Sequence, residues 1–161
     1  MSKLIYKNFF ITKGIGEDDH SSVLAFDKAL MDAKIHQYNL VPVSSMLPYG
    51  AKKVQFSHKF FDIGEIVFCV LSKADGRMGQ SLVVGLGYAL GYDRVSKKRY
   101  GFILEGHGNN ILGLKKSLGV GLHNMARLRK FTIEQNEIFT VSLRSIKCQF
   151  GCALVALIYR Q

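Results

Sequence analysis

Residues 153–159, ALVALIY, are apolar at every position, so an extended chain there has no face to offer water. A strand of that kind belongs in an interior, covered on both sides. The preceding stretch differs: Phe139, Val141 and Leu143 alternate with Thr140, Ser142 and Arg144, the pattern of a strand with one wet face. Helical spacing occurs twice. Ser21 and Ser22 can cap a helix beginning near Val23, with Leu24, Leu30, Met31 and Ile35 recurring along it. Asn109 or Asn110 can cap a second, with Ile111, Leu114, Leu118, Leu122, Met125 and Leu128 at steps of three or four. Residues 39–43, 54–56 and 66–71 read as further strands, and residues 81–92 and 99–105 as a hairpin around the polar turn Asp93-Arg94-Val95-Ser96-Lys97. Helices with mostly antiparallel strands make this an α+β fold.

A chain of 161 residues, 48% hydrophobic, suits a single domain with its own core, and no repeat, Pro-rich stretch or charge block divides it. The opening MSKLIYKNFFITKG has a lysine inside its short apolar portion and no small-residue cleavage site, so it does not read as a signal peptide. Nothing approaches the ~20 apolar residues of a membrane span. A soluble, cytoplasmic protein is expected. Cys69, Cys148 and Cys152 form no CxxC and are odd in number, which favours reduced thiols, with Cys69 a small core hydrophobe. His20, His36, His58, His107 and His123 lack paired ligand spacing, so no metal is expected.

The formal charge of +10 raises a nucleic-acid or membrane-surface reading. The basic residues are dispersed, however. Their densest clusters are Lys97-Lys98-Arg99 beside a turn, and Arg127, Arg129 and Lys130 where a helix C-terminus already favours cations. No nucleic-acid-binding motif accompanies them, and no nucleic-acid partner is expected. Glycines 85, 87 and 91 are spaced GxGxxxG, not GxGxxG, and fit close backbone approach in a sheet better than a dinucleotide loop.

The chemistry concentrates in residues 39–48, NLVPVSSMLP, which set two adjacent serines in an apolar strand. Their ordinary use is to satisfy local hydrogen bonds. The alternative is reactive. The Ser45 hydroxyl can attack the Ser44 carbonyl carbon, turning the peptide bond into an ester. Elimination then releases a fragment ending at Ser44 and leaves a dehydroalanine, which hydrolyses to a pyruvoyl group with loss of ammonia.

The surroundings select between these. Thr12-Lys13-Gly14-Ile15-Gly16, then Leu24-Ala25-Phe26-Asp27-Lys28-Ala29-Leu30, Ala33-Lys34-Ile35 and NLVPVSSMLP resemble, in that order, the N-terminal part of the pyruvoyl-dependent arginine decarboxylases. Gly101-Phe102-Ile103-Leu104-Glu105 and Phe150-Gly151-Cys152-Ala153-Leu154 through Tyr159 resemble later family segments, with looser similarity between residues 50 and 100. The resemblance implies a four-layer αββα sandwich assembled as a homotrimer, which could pair into a dimer of trimers. It implies self-cleavage into chains 1–44 and 45–161, and a pyruvoyl cofactor made from Ser45, with neither metal nor pyridoxal phosphate. L-Arginine would be decarboxylated to agmatine and CO2 through a Schiff base to that ketone.

Site residues follow by matching. Glu105 corresponds to the family's proton donor, and the apolar approach Phe102-Ile103-Leu104 would desolvate it and favour its protonated form. Asp27 corresponds to the acid that meets the substrate guanidinium; otherwise it is a solvated acid beside Lys28, Asp32 and Lys34. Asn39 corresponds to an asparagine able to polarise the Ser44 carbonyl. Ser72 aligns with a substrate-pocket serine. Two features depart from the pattern: Gly106-His107-Gly108 is glycine-rich, and the positive charge opposes capture of a cation. The same enzyme class could act on another basic or aromatic amino acid. The rival from a different class is an uncleaved basic binding protein on the same fold, taking nucleic acid or an acidic partner.

Overall fold

A computed structural model describes residues 5–57 and 59–161. Residues 1–4, part of the N-terminal stretch read above, and His58 lie outside the described residues. The elements run β1 (Asn8–Asp18), α1 (Ser22–Asp32), β2 (Asn39–Pro42), β3 (Met46–Leu47), β4 (Lys52–Lys53), β5 (Ile66–Arg77), β6 (Leu82–Asp93), β7 (Arg99–His107), α2 (Ile111–Leu128), β8 (Phe131–Leu143) and β9 (Phe150–Arg160). They build an α+β fold with two sheets. The first has the order β2-β5-β9-β1-β4, with β9 antiparallel to both neighbours and the edge strands β2 and β4 parallel to theirs. The second, β3-β7-β6-β8, is antiparallel throughout.

The apolar strand β9 lies in the middle of the first sheet, and period-two alternation divides its side chains between two cores. Val155 and Leu157, with Phe9 and Val70, meet Val84, Leu86, Tyr88, Ile103 and Leu143 of the second sheet. Leu154, Ala156 and Ile158, with Phe10, turn the other way and pack with Ala25 and Ala29 of α1. On the second sheet's outer face lies α2, through Leu114, Leu118, Leu122 and Ala126.

Helix α1 begins as its cap predicts, with Ser21 Oγ accepting from Leu24 N at 3.1 Å. Its packing face is not the predicted one. Leu24 and Met31 are 44% and 51% exposed, while Ala25, Ala29 and, just past the helix, Ala33 are buried. The cause lies in β1. A Cβ at Gly14 would stand 2.1 Å from Ala29 O, and one at Gly16 2.2 Å from Ala25 O. Helix backbone therefore rests almost directly on strand backbone, and only alanines fit between.

At the second helix, the glycines of β6 and β7 act as seats. A Cβ at Gly85 or Gly106 would crowd Leu114 and Leu118, and one at Gly87 would crowd Leu122. Close approach was expected there, but what approaches is a row of helix leucines. Gly91 does meet backbone, with Thr132 O 2.0 Å from its would-be Cβ at the register shift between β6 and β8. Because α2 covers this side, Thr140, expected on a wet face, is buried. Smaller differences are that the strand expected at 54–56 sits at β4, and that β5 extends six residues past Leu71. Arg94 donates from both its backbone N and Nε to Lys130 O, each at 3.1 Å, tying the turn after β6 to the end of α2. Among the described residues, no helix is long and apolar enough to cross a membrane.

The serine pair lies outside any strand, contrary to expectation. Ser44 is exposed and Ser45 half-buried, in the link between β2 on the edge of one sheet and β3 on the edge of the other. Packed sheets stand about 10 Å apart, so the chain must abandon strand geometry to cross between them. The bond between Ser44 and Ser45 is part of that crossing.

Candidate active site

Ser45 is held on every side that bears on its chemistry. Its Oγ donates to Glu105 Oε1 at 3.1 Å, its carbonyl accepts Ile103 N at 3.0 Å, and the carbonyl before it, that of Ser44, accepts Met46 N at 2.9 Å. The next carbonyl, that of Met46, accepts Tyr159 Oη at 2.7 Å. Strand β7 supplies two of these partners, because Ile103 and Glu105 share its inward face while β3 runs beside it. An amide hydrogen on the Ser44 oxygen polarises the carbonyl that Ser45 Oγ would attack.

Glu105 is exposed in the single chain, which differs from the enclosed acid expected. Alternation explains it. Phe102 and Leu104 point towards α2, and of the apolar approach only Ile103 lies on the glutamate's side of the strand. The neighbouring glycines serve α2: Gly106 faces Leu114 and Leu118, and Gly108 faces Leu114. Ser72 is buried, and its Oγ donates to Gly106 O at 3.3 Å, bridging β5 to the residue after Glu105.

Two expected partners lie elsewhere. Asn39 Nδ2 donates to Gly64 O at 2.7 Å, and its backbone N to Glu65 O at 2.8 Å, at the start of β2. Strand β2 separates it from Ser44 by more than about 10 Å; in the single chain the donor to the Ser44 carbonyl is Met46 N. Asp27 points to solvent from α1, half a helical turn from the buried Ala25 and Ala29 and thus on the far side of the first sheet from Glu105. Two of its expected local partners are engaged elsewhere: Lys28 pairs with Asp18 at 2.8 Å, and Asp32 accepts Ile15 N at 2.9 Å.

Cys69 lies buried beside β2, and burial, then the Glu105 carboxylate, push its thiol up to about 11, so it remains a neutral core group. Among the described residues no cluster of three His, Cys, Asp or Glu side chains could hold a metal. On the other side of the link, Val43, Ser44, Met46, Phe68, Tyr100 and Tyr159 help to line a cavity of about 610 Å³ whose walls are mostly apolar. Ser45 and Glu105 are not part of that wall, and nothing in it suits a guanidinium.

The family model for pyruvoyl-dependent arginine decarboxylases matches residues 8–161. The chain belongs to that family. It is 34% identical over 149 residues to pyruvoyl-dependent arginine decarboxylase 1 of Methanosarcina acetivorans, covering 84% of this chain and 87% of that one. It is 28% identical over 159 residues to pyruvoyl-dependent arginine decarboxylase 2 of Archaeoglobus fulgidus, covering 97% and 98%. A solved pyruvoyl-dependent histidine decarboxylase superposes loosely, with a TM-score of 0.41 and 15% identity over 83% of this chain and 62% of that one. Within the family frame, sequence reasoning missed the Ser45 clamp. Backbone donors such as Met46 N and Ile103 N leave no mark in a sequence. Tyr159 does: a hydroxyl ending an otherwise apolar strand has to find a partner.

Proposed function

We propose that this protein cleaves itself between Ser44 and Ser45, converts Ser45 into a covalent pyruvoyl group, and decarboxylates L-arginine to agmatine and CO2. The observation that carries the reading is the 3.1 Å contact from Ser45 Oγ to Glu105 Oε1, at an exposed crossing between sheets, in a chain of this family. The ketone would form at Ser45 Cα, with water oxygen replacing the residue's nitrogen, while Oγ leaves as part of the Ser44 carboxylate. The fit is good: the residue-45 carbonyl is already fixed by Ile103 N, a carboxyl faces the reacting position, and the leaving fragment ends on the surface. A pyruvoyl group supplies an electron sink for the charge left when CO2 departs.

The remaining work falls to side chains. Glu105 holds a proton for the substrate α-carbon, which requires that its exposed face be covered when substrate is present. Asn39 fixes the start of β2 against the loop before β5, and Ser72 holds β7 at Gly106; both act by positioning. Asp27 accepts the guanidinium through two parallel N–H bonds.

Asp27 and Glu105 lie on opposite sides of the first sheet, so one arginine can meet both only if they come from different copies. This favours the homotrimer, with Asp27 of one copy completing the site of the next. Val23 on α1 is 73% exposed and Ile66 at the start of β5 is 64% exposed, and self-association would cover such surface. The three cores that separate α1, the two sheets and α2 support the four-layer αββα arrangement.

CO2 release by the purified protein, compared across arginine, lysine, ornithine and histidine, tests the substrate. Arginine should be strongly preferred, and equal turnover of the others would contradict the assignment. Asp27→Asn should still be cleaved yet lose on the order of 1.5–3 kcal/mol of a charge-assisted contact, a roughly 10- to 150-fold rise in KM for arginine. Parent-like arginine kinetics would remove Asp27 from the site.

A further inference from the structure

We infer that the Met46 peptide N–H is the oxyanion donor of self-cleavage, and that Tyr159 positions this donor through the Met46 carbonyl. This rests on the self-cleaving reading above. Met46 N donates to Ser44 O at 2.9 Å, closing a three-residue turn centred on Ser45. Ser44 O is the oxygen that becomes negative when Ser45 Oγ adds to the Ser44 carbonyl carbon. The peptide unit carrying the donor is pinned at its own carbonyl by Ile103 N, and the next carbonyl is pinned by Tyr159 Oη at 2.7 Å. The link would otherwise be free to turn its N–H to water, since Ser44 and Met46 are both exposed.

Tyr159 is suited to the task. It is 6% exposed near the end of β9, within the core between the sheets, so its ring cannot follow a moving loop. Burial and then Cys69 push its hydroxyl up to about 12, so it remains a donor at neutral pH.

The donor meets its largest charge in the first step. As the Oγ–C bond forms, the Oγ proton departs. It ends on the nitrogen of residue 45 as the C–N bond breaks, and the oxyanion returns to a carbonyl. In the later elimination the Cα–H and Cβ–Oγ bonds break and Ser44 leaves as a carboxylate, its charge shared between Oγ and the turn's oxygen, whereas the oxyanion of the first step rests on the turn's oxygen alone. A lost donor should therefore slow formation of the ester.

Tyr159→Phe keeps the ring and removes the hydroxyl. Folded, newly made precursor of this variant should cleave about 10-fold more slowly than the parent, a fraction of the ~10²–10³ that a lost oxyanion donor costs. Hydroxylamine, which intercepts the ester, should not restore the rate, because little ester forms. A loss of stability alone would lower the thermal midpoint but leave the first-order rate of the folded precursor unchanged. A parent-like rate overturns the inference, as does full restoration by hydroxylamine, which would assign Tyr159 to elimination. Replacing the Met46 N–H with an ester oxygen in a ligated chain leaves Tyr159 untouched and should cost on the order of 10²-fold. Parent-like cleavage of that chain overturns the inference whether or not Tyr159→Phe folds. A parent chain that stays whole would instead overturn the self-cleavage reading itself, and this role with it.

Discussion

Ser45→Ala should remain a single 161-residue chain on a denaturing gel and release no CO2 from arginine. Alanine removes two functions at once. It has no oxygen to attack the Ser44 carbonyl, and none to depart from Cβ, so neither ester nor ketone can form. The fold should tolerate the change, because Ser45 is half-buried in a link and its Oγ makes one hydrogen bond, to the exposed Glu105. Ser44→Ala is the matched control: its carbonyl is attacked, but its exposed hydroxyl takes no bond-forming part, so cleavage should be slowed at most. A cleaved, active alanine variant at position 45 would defeat the proposed mechanism. Complete loss at position 44 in a folded protein would move the nucleophile there.

Glu105→Gln should separate making the cofactor from using it. Before cleavage, Glu105 is only an acceptor for Ser45 Oγ, and the glutamine oxygen can accept the same bond. The two fragments should therefore still form, with a carbonyl that hydride reduces. Protonation of the substrate α-carbon needs an acid that glutamine cannot supply, and general acid catalysis is worth about 10²–10⁴-fold, so kcat per pyruvoyl group should fall by that factor. Arginine binding should change less, since the guanidinium contact is assigned to Asp27. Turnover at the parent rate would make Glu105 a structural acid. A folded variant that fails to cleave would place it in maturation.

Much of this site was legible in the sequence, but unevenly. Ser45 and Glu105, 60 residues apart in the chain, do meet, and the apolar run of β9 was readable as written. Packing was harder. Leu24 and Met31 follow helical spacing as well as Ala25 and Ala29 do, and only the glycines of β1, a long-range partner, decide which row faces inward. The serine pair reads as a strand because its neighbours are apolar, yet the gap between two sheets sets its conformation. Glu105 was expected to be desolvated by residues adjacent in sequence, but successive strand residues face opposite ways, so Phe102 and Leu104 serve α2. Asn39 and Asp27 carry family signals that no single-chain geometry brings to Ser45.

The central claim is that this chain makes its own ketone. Intact-mass measurement of the purified, denatured protein tests it most directly. Two components are expected, residues 1–44 ending in a free carboxylate and residues 45–161 lighter by one ammonia than the same fragment beginning with serine, with the larger gaining mass on hydride reduction. A single component with the mass of all 161 residues, unchanged by hydride and by prolonged incubation, would contradict the claim.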